Sequence, residues 1–271
     1  MGKLRSVELF MALGLSATLV ACGPSAPGDS GTDSSPAPAA SPAADGGEGG
    51  EGGEEGSSID ADVNDMVSLG LMKGHMRVAK ELIDLGQYDE AEPHIGHPVE
   101  ELYGDIEAGL AERKVKDFKA TLNQLHDLIK SKPQDPQVAV LYAESLQKIE
   151  GAIAALPAEK RESPQFVLSS INDMLTVAAD EYGAAIADNK FVELVEYQDS
   201  RGFVVYASEL YQTVSSSVAG QQPEVDQALQ KTMKDLAAAW PAVNPPPAPV
   251  IEPAKVTELI AKIKTDSEQV K

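Results

Sequence analysis

Apolar side chains recur at every third or fourth position through most of residues 59–271, and this periodicity constrains the fold more than any other feature of the sequence. Gly86, a residue type that commonly terminates helices, follows the first apolar stripe. That stripe consists of Val67, Leu71, His75, Val78 and Leu82. We therefore expect amphipathic helices along the whole of this region.

Prolines separate the apolar stripes, and alternation typical of strands is absent. The second helix is predicted to open at Pro98, a residue type favoured in the first turn of a helix. Short connections between helices favour antiparallel packing. The sequence predicts an all-α fold, an up-and-down antiparallel helical bundle of about eight helices. The prolines at 157 and 164 would divide it into two four-helix halves.

The first 21 residues have the layout of a secretory signal peptide, with Lys3 and Arg5 ahead of an apolar stretch. The stretch ends in Leu19-Val20-Ala21-Cys22, which resembles the lipobox of bacterial lipoproteins. The resemblance implies that Cys22 is acylated, becomes the N-terminus and anchors the chain in the membrane. Since no aspartate follows Cys22, it further implies the periplasmic face of the outer membrane. The alternative is an ordinary signal peptide with a chance cysteine.

Residues 22–58 combine the lipidated cysteine with a Gly/Ser/Pro-rich acidic stretch that lacks Lys and Arg. Such a composition buries too little apolar surface to fold, so we expect a disordered tether. An acidic metal-binding tract is the alternative for residues 46–55.

The whole chain has 43 acidic and 22 basic side chains and a net charge of −21, which argues against nucleic-acid binding. Its single cysteine excludes an internal disulfide and a cysteine-rich zinc site.

Two of the four histidines lie close together in the segment His94-Ile-Gly-His97-Pro-Val-Glu100. Imidazole nitrogens and carboxylate oxygens are ligands for iron, zinc and copper, and a spacing of three residues lets neighbours share one ion. We therefore predict His94, His97 and Glu100 as metal ligands. The alternative is that His97 caps the helix predicted to follow and Glu100 stabilises its N-terminus.

His75 occupies an inward position of the first apolar stripe and is a candidate fourth ligand, or else a core histidine with a local partner. Three carboxylates also interrupt apolar faces, and a buried carboxylate is costly unless it is paired or binds a cation. These second-rank candidates for a metal or structural role are Glu181, Glu196 and Asp199. Pairing with Arg201 or a lysine is the alternative for them.

The segment from His97 to Gly104 resembles the His-x-x-Glu segment of the imelysin-like proteins, which are periplasmic helical proteins linked to iron acquisition. The resemblance implies metal ligation by His97 and Glu100. It departs from the family pattern because Gly96 directly precedes the histidine. Peptidase activity is not expected, since the chain lacks a His-Glu-x-x-His helix.

Residues 79–91 also resemble the turn of a tetratricopeptide repeat, but the pattern does not recur 34 residues later.

We expect a lipid-anchored extracytoplasmic protein that binds a transition-metal ion (Fe, Zn or Cu, with iron favoured) for uptake or buffering. Its partners would be the membrane, through acylated Cys22, and envelope transport proteins. The alternative is a non-catalytic envelope interaction module without metal. No nucleophile–base pair or phosphate loop indicates an enzyme.

Overall fold

The computed structural model describes residues 60–271. The predicted signal peptide (1–21), Cys22 and the predicted tether (22–58) lie outside the described residues.

The N-terminal half of the described chain is a ring of helices. In chain order these are α1 (Ala61–Asp84), α2 (Tyr88–His97), a π-helical segment (Pro98–Leu102), α3 (Tyr103–Glu112), α4 (Lys119–Ser131) and α5 (Gln137–Ala154). Helix α1 packs against α2 and α5, α2 packs against α4, and α4 packs against α5. Asp60 caps α1 by accepting a hydrogen bond from the Asp62 backbone N–H, and Gly86 adopts a positive φ of 76° in the turn that follows. Because α2, the π segment and α3 run on without a break, the ring has four sides.

The C-terminal half forms a second ring. Its elements are α6 (Ala158–Arg161), α7 (Pro164–Ala184), strands β1 (Ile186–Ala187) and β2 (Lys190–Phe191), α8 (Leu194–Gln221), α9 (Pro223–Ala237) and α10 (Pro253–Ser267). Helix α7 packs against α8, α8 against α9, α9 against α10, and α10 back against α7. Proline opens α7, α9 and α10, where its fixed φ suits the first turn and its missing N–H is not needed.

Helix α1 joins the two halves by packing against α7 and α8. The prediction of an all-α antiparallel bundle is confirmed for residues 60–271, which are almost entirely helical. The helices pack in two closed rings and not in the open stack that a tetratricopeptide array would require.

One local prediction is wrong, and one short element gives no signal in the sequence. The helix expected to open at Pro98 begins ten residues earlier, at Tyr88, so His97 is an internal helical residue and not a cap. A short antiparallel hairpin also follows α7, although the sequence shows no strand pattern. Its turn residues Asp188 and Asn189 both have positive φ, as a type I′ hairpin turn requires. Two-residue strands are too short to leave a period-two signal.

Buried aromatic side chains hold the long connection between α9 and α10 against the bundle. The hydroxyl of Tyr197 donates to the Ala242 carbonyl at 2.8 Å, that of Tyr182 donates to the Ile251 carbonyl at 2.7 Å, and the Trp240 indole donates to Ser200 Oγ at 2.8 Å. Within residues 60–271, no helix combines the length and the apolar character needed to cross a bilayer.

Candidate metal centre

Three histidines and one aspartate converge in the interior where α1, α2 and α8 meet. These residues are His75 on α1, His94 and His97 on α2, and Asp199 on α8. One donor atom from each lies within 4.8 Å of the donor atoms of the other three. Residues more than a hundred positions apart in the chain thus share one small volume.

The carboxylate of Asp199 lies between the three imidazoles. Its Oδ1 is 2.6 Å from His75 Nδ1 and 2.6 Å from His94 Nδ1. Its Oδ2 is 3.2 Å from His97 Nδ1. All three rings therefore direct the same type of nitrogen at one carboxylate.

The helices place these groups by their own geometry. His94 and His97 are three residues apart on α2, so they project from one face of that helix. His75 lies on the buried stripe of α1, and Asp199 lies in the buried stretch Tyr197–Ser200 of α8. The ring of Phe203, one turn after Asp199, packs edge-on against the His75 ring at 4.9 Å.

A pair of glycines allows α1 and α8 to approach closely beside the site. A Cβ built on Gly202 would lie 2.8 Å from the Gly74 carbonyl carbon and would also clash with its oxygen. Because these contacts involve backbone atoms, no side-chain rotation could relieve them. The two glycines neighbour His75 and Asp199 in space, so they set the helix separation at which these donors meet.

The site is buried on one side and accessible on the other. The His75 and His94 side chains are 0% exposed and Asp199 is 2% exposed, whereas His97 is 20% exposed. His97 Nε2 also lies 3.8 Å from Glu101 Oε1, one turn further along the chain. Of the four donor residues, His97 is therefore the most accessible to solvent.

Electrostatics favour the ionised form of Asp199. Burial alone would raise the pKa of this carboxyl, but the positive charge and hydrogen bonds of His75 and His94 outweigh it and lower the pKa well below the usual 3.8. A buried carboxylate is thus available to a cation without first losing a proton.

Two further polar residues, Gln198 and Glu90, connect to His94 through hydrogen bonds. Its Nε2 lies 2.8 Å from Gln198 Oε1, and Gln198 Nε2 donates to Glu90 Oε2 at 3.2 Å. Neither residue is predicted as part of the site from the sequence. The signal that could have found Gln198 is its place beside Asp199 on a face that is otherwise apolar.

Three of the candidate ligands predicted from the sequence lie apart from this group. Glu100 has a side chain that is 60% exposed and approaches His126 Nδ1 at 3.7 Å. Glu181 and Glu196 are half-buried and do not belong to the converging set. Arg201 donates to Glu81 at 2.7 Å, so the ion pair considered for Asp199 does not form with this arginine.

The four converging donors suit a transition-metal ion. Three imidazole nitrogens and one carboxylate oxygen are typical ligands of iron, zinc and copper, whereas calcium and magnesium prefer oxygen alone. Two atoms bonded to one ion at about 2.1 Å lie at most about 4.2 Å apart. The donor separations of up to 4.8 Å are therefore close to what one shared ion needs.

Part of the chain matches a known protein family. Residues 157–271 match a family model described as "Iron permease-associated 4-helix bundle domain". The matched segment corresponds to α6 through α10 and contains Asp199 and Gln198, whereas the three histidines lie ahead of it. No match to the chain was found among curated proteins or solved structures. The matched family is not the imelysin-like one, and that resemblance stays unconfirmed.

Proposed function

We propose that this protein is a lipid-anchored extracytoplasmic protein that binds a transition-metal ion, iron above others, for uptake or buffering. The observation that carries the proposal is the convergence of His75, His94, His97 and Asp199 in the core. The match of the C-terminal ring to an iron permease-associated domain supports iron over zinc or copper.

The ion is a cargo in this proposal, and each ligand has a separate task. Asp199 supplies negative charge in a buried site and so offsets the charge of a divalent ion. His75 and His94 are held without solvent exposure and define the inner part of the site. His97, which is partly exposed, is the ligand best placed to receive and release the ion.

The proposed location rests on two supports of different kind. The lipobox-like sequence ending at Cys22 supports a lipid anchor on the extracytoplasmic side. The description of the matched family, which refers to an iron permease, supports a membrane-associated context and transport proteins as partners. No catalytic residue is assigned.

Titration with metal ions tests the proposal. Purified wild-type protein should bind one Fe²⁺ per chain in anaerobic calorimetry, and Zn²⁺ should compete. We expect Asp199→Asn to weaken binding by more than roughly 100-fold, because loss of a supporting residue alone already costs about 10–100-fold. Circular dichroism would check that the variant is folded.

The matched control is His126→Gln. His126 lies outside the converging group and pairs with Glu92 at 2.6 Å, so its loss should leave metal affinity unchanged. Absence of binding by the wild type would contradict the proposal and leave the non-catalytic interaction module. An equal loss in both variants would mean that the ions bind elsewhere.

A further inference from the structure

A chain of hydrogen bonds leads from the surface of α2 through α8 to His94. Gln87 Nε2 donates to Glu90 Oε1 at 3.0 Å, and the other oxygen of Glu90 accepts from Gln198 Nε2 at 3.2 Å. The carbonyl oxygen of the same glutamine lies 2.8 Å from His94 Nε2. Gln198 itself is fully buried, so its amide has a fixed environment.

The polarity of this chain follows from its acidic member. An ionised carboxylate only accepts hydrogen bonds, so the Gln198 amide must turn its NH2 group towards Glu90. Its carbonyl oxygen then faces His94 and can only accept as well. The opposite amide orientation would bring two acceptors together at Glu90. His94 therefore carries a proton on Nε2.

We propose that Glu90 and Gln198 form a relay that holds the proton of His94 on Nε2 and thereby reserves Nδ1 for the metal. His94 Nδ1 is directed at Asp199, 2.6 Å from a carboxylate that only accepts, so in the metal-free protein it donates a proton that the metal ion must displace. A neutral imidazole binds a metal through the nitrogen that lacks the proton. Gln198 and Glu90 are positioning residues here, not ligands. The inference rests on the proposed function, because it assigns the supporting partners of the same site.

The test replaces Gln198 with methionine, a side chain of similar length that is only a weak hydrogen-bond acceptor. In zinc-loaded wild type, two-bond ¹H–¹⁵N spectra should show His94 with its proton on Nε2 and zinc bound at Nδ1. In Gln198→Met no acceptor holds the Nε2 proton, whereas Asp199 still accepts from Nδ1. Zinc affinity should fall roughly 10–100-fold, since binding through Nδ1 then leaves the Nε2 proton without a hydrogen-bond acceptor.

A double variant provides the rescue. Glu90→Gln with Gln198→Glu keeps the net charge, and the new glutamine can donate to the new carboxylate, which still accepts from His94 Nε2. We expect it to recover most of the lost zinc affinity and the Nε2 proton. Gln230→Met is the matched control, because Gln230 donates to Asp226 at 2.8 Å on a different interface.

The possible outcomes distinguish a failure of the proposed relay from a failure of the proposed metal site. Wild-type zinc affinity in Gln198→Met, or coordination of His94 through Nε2, would overturn the relay and leave the proposed function intact. A loss of the same size in Gln230→Met would also overturn it, because the effect would then be general destabilisation. Failure of the wild type to bind zinc or iron would instead contradict the proposed function.

Discussion

Two buried aspartates on neighbouring helices have different surroundings, and the difference separates a structural carboxylate from a candidate metal ligand. Asp226 accepts hydrogen bonds from Tyr211, Ser215 and Gln230, at 2.7–2.8 Å. These donors are neutral and satisfy the carboxylate permanently. Asp199 instead faces imidazoles, which can exchange their protons for a metal ion.

Asp226 makes the acid stability of the protein testable. Burial raises its pKa, but the hydrogen bonds from Tyr211, Gln230 and Ser215 together lower the pKa below the usual 3.8. A depressed carboxyl pKa adds stability above pH 4, and this stability is lost as the pH falls through the folded-state pKa. We expect Asp226→Asn to lower the free energy of unfolding at pH 7 by about 1–3 kcal/mol. The deficit should shrink below pH 4 in urea titrations.

Glu224→Gln is the control for this prediction. Glu224 is an exposed acid in the same first turn of α9, so it shares the helix-terminus charge effect but not the buried hydrogen bonds. A deficit for Asp226→Asn that stays constant from pH 7 to pH 2 would show that its ionisation does not contribute.

At the scale of the element, α2 carries two of the four candidate ligands through an irregular region. Pro93 and Pro98 have no N–H and cannot donate the backbone hydrogen bonds of a regular helix. The π-helical segment Pro98–Leu102 follows His97 directly. π-helical turns are frequent at functional sites because they change which side chains share a face. Here the change separates His97, which faces Asp199, from Glu100, which faces His126.

The close crossing of α1 and α8 gives the element-scale prediction. Gly202→Ala would place a methyl group against the Gly74 backbone and force the helices apart. We expect a loss of about 1–3 kcal/mol in the free energy of unfolding, typical of overpacking. Metal affinity should fall as well, since His75 and Asp199 lie on the two separated helices. Urea titration and calorimetry measure the two effects.

Gly151→Ala is the matched control for Gly202→Ala. Gly151 is exposed within α5 and a Cβ there would meet no atom within 4 Å, so alanine should stabilise the helix by about 0.5–1 kcal/mol. Unchanged stability and metal affinity in Gly202→Ala would mean that the crossing does not control the site.

At the scale of the whole molecule, the candidate site belongs to neither ring alone. The N-terminal ring contributes His75, His94 and His97, and the C-terminal ring contributes Asp199 and Gln198. Only the C-terminal ring matches the iron permease-associated family. The full donor set therefore depends on the packing of α1 and α2 against α8.

Anchoring of the whole chain is tested at its single cysteine. If Cys22 is acylated, the wild type should incorporate labelled palmitate and sediment with membranes, and Cys22→Ser should do neither. Gly23→Ala keeps the thiol and should behave as the wild type. Palmitate incorporation by Cys22→Ser would contradict the lipobox interpretation.

Local pattern was enough to predict the helices but not the partners of the histidines. The apolar stripe through His75 and the prolines at 157 and 164 are local signals that extend over a few residues. The helical bundle and its division into two halves could therefore be predicted from the sequence. The metal ligands themselves stay a prediction. Its nearness to His97 in sequence favours Glu100 over Asp199 as a ligand, yet of these two carboxylates only Asp199 lies among the histidines.

The sequence by itself determined the helical class and the division of the bundle near the prolines at 157 and 164, since backbone propensity and a 3.6-residue period are local properties. The tertiary structure alone decided that His75 and Asp199, 124 residues apart, meet at the histidines of α2. That meeting depends on how closely two helices can pack, and at Gly74 and Gly202 the absence of side chains permits the approach. Neighbours in sequence do not specify such a contact, because its free energy comes from burial between distant elements.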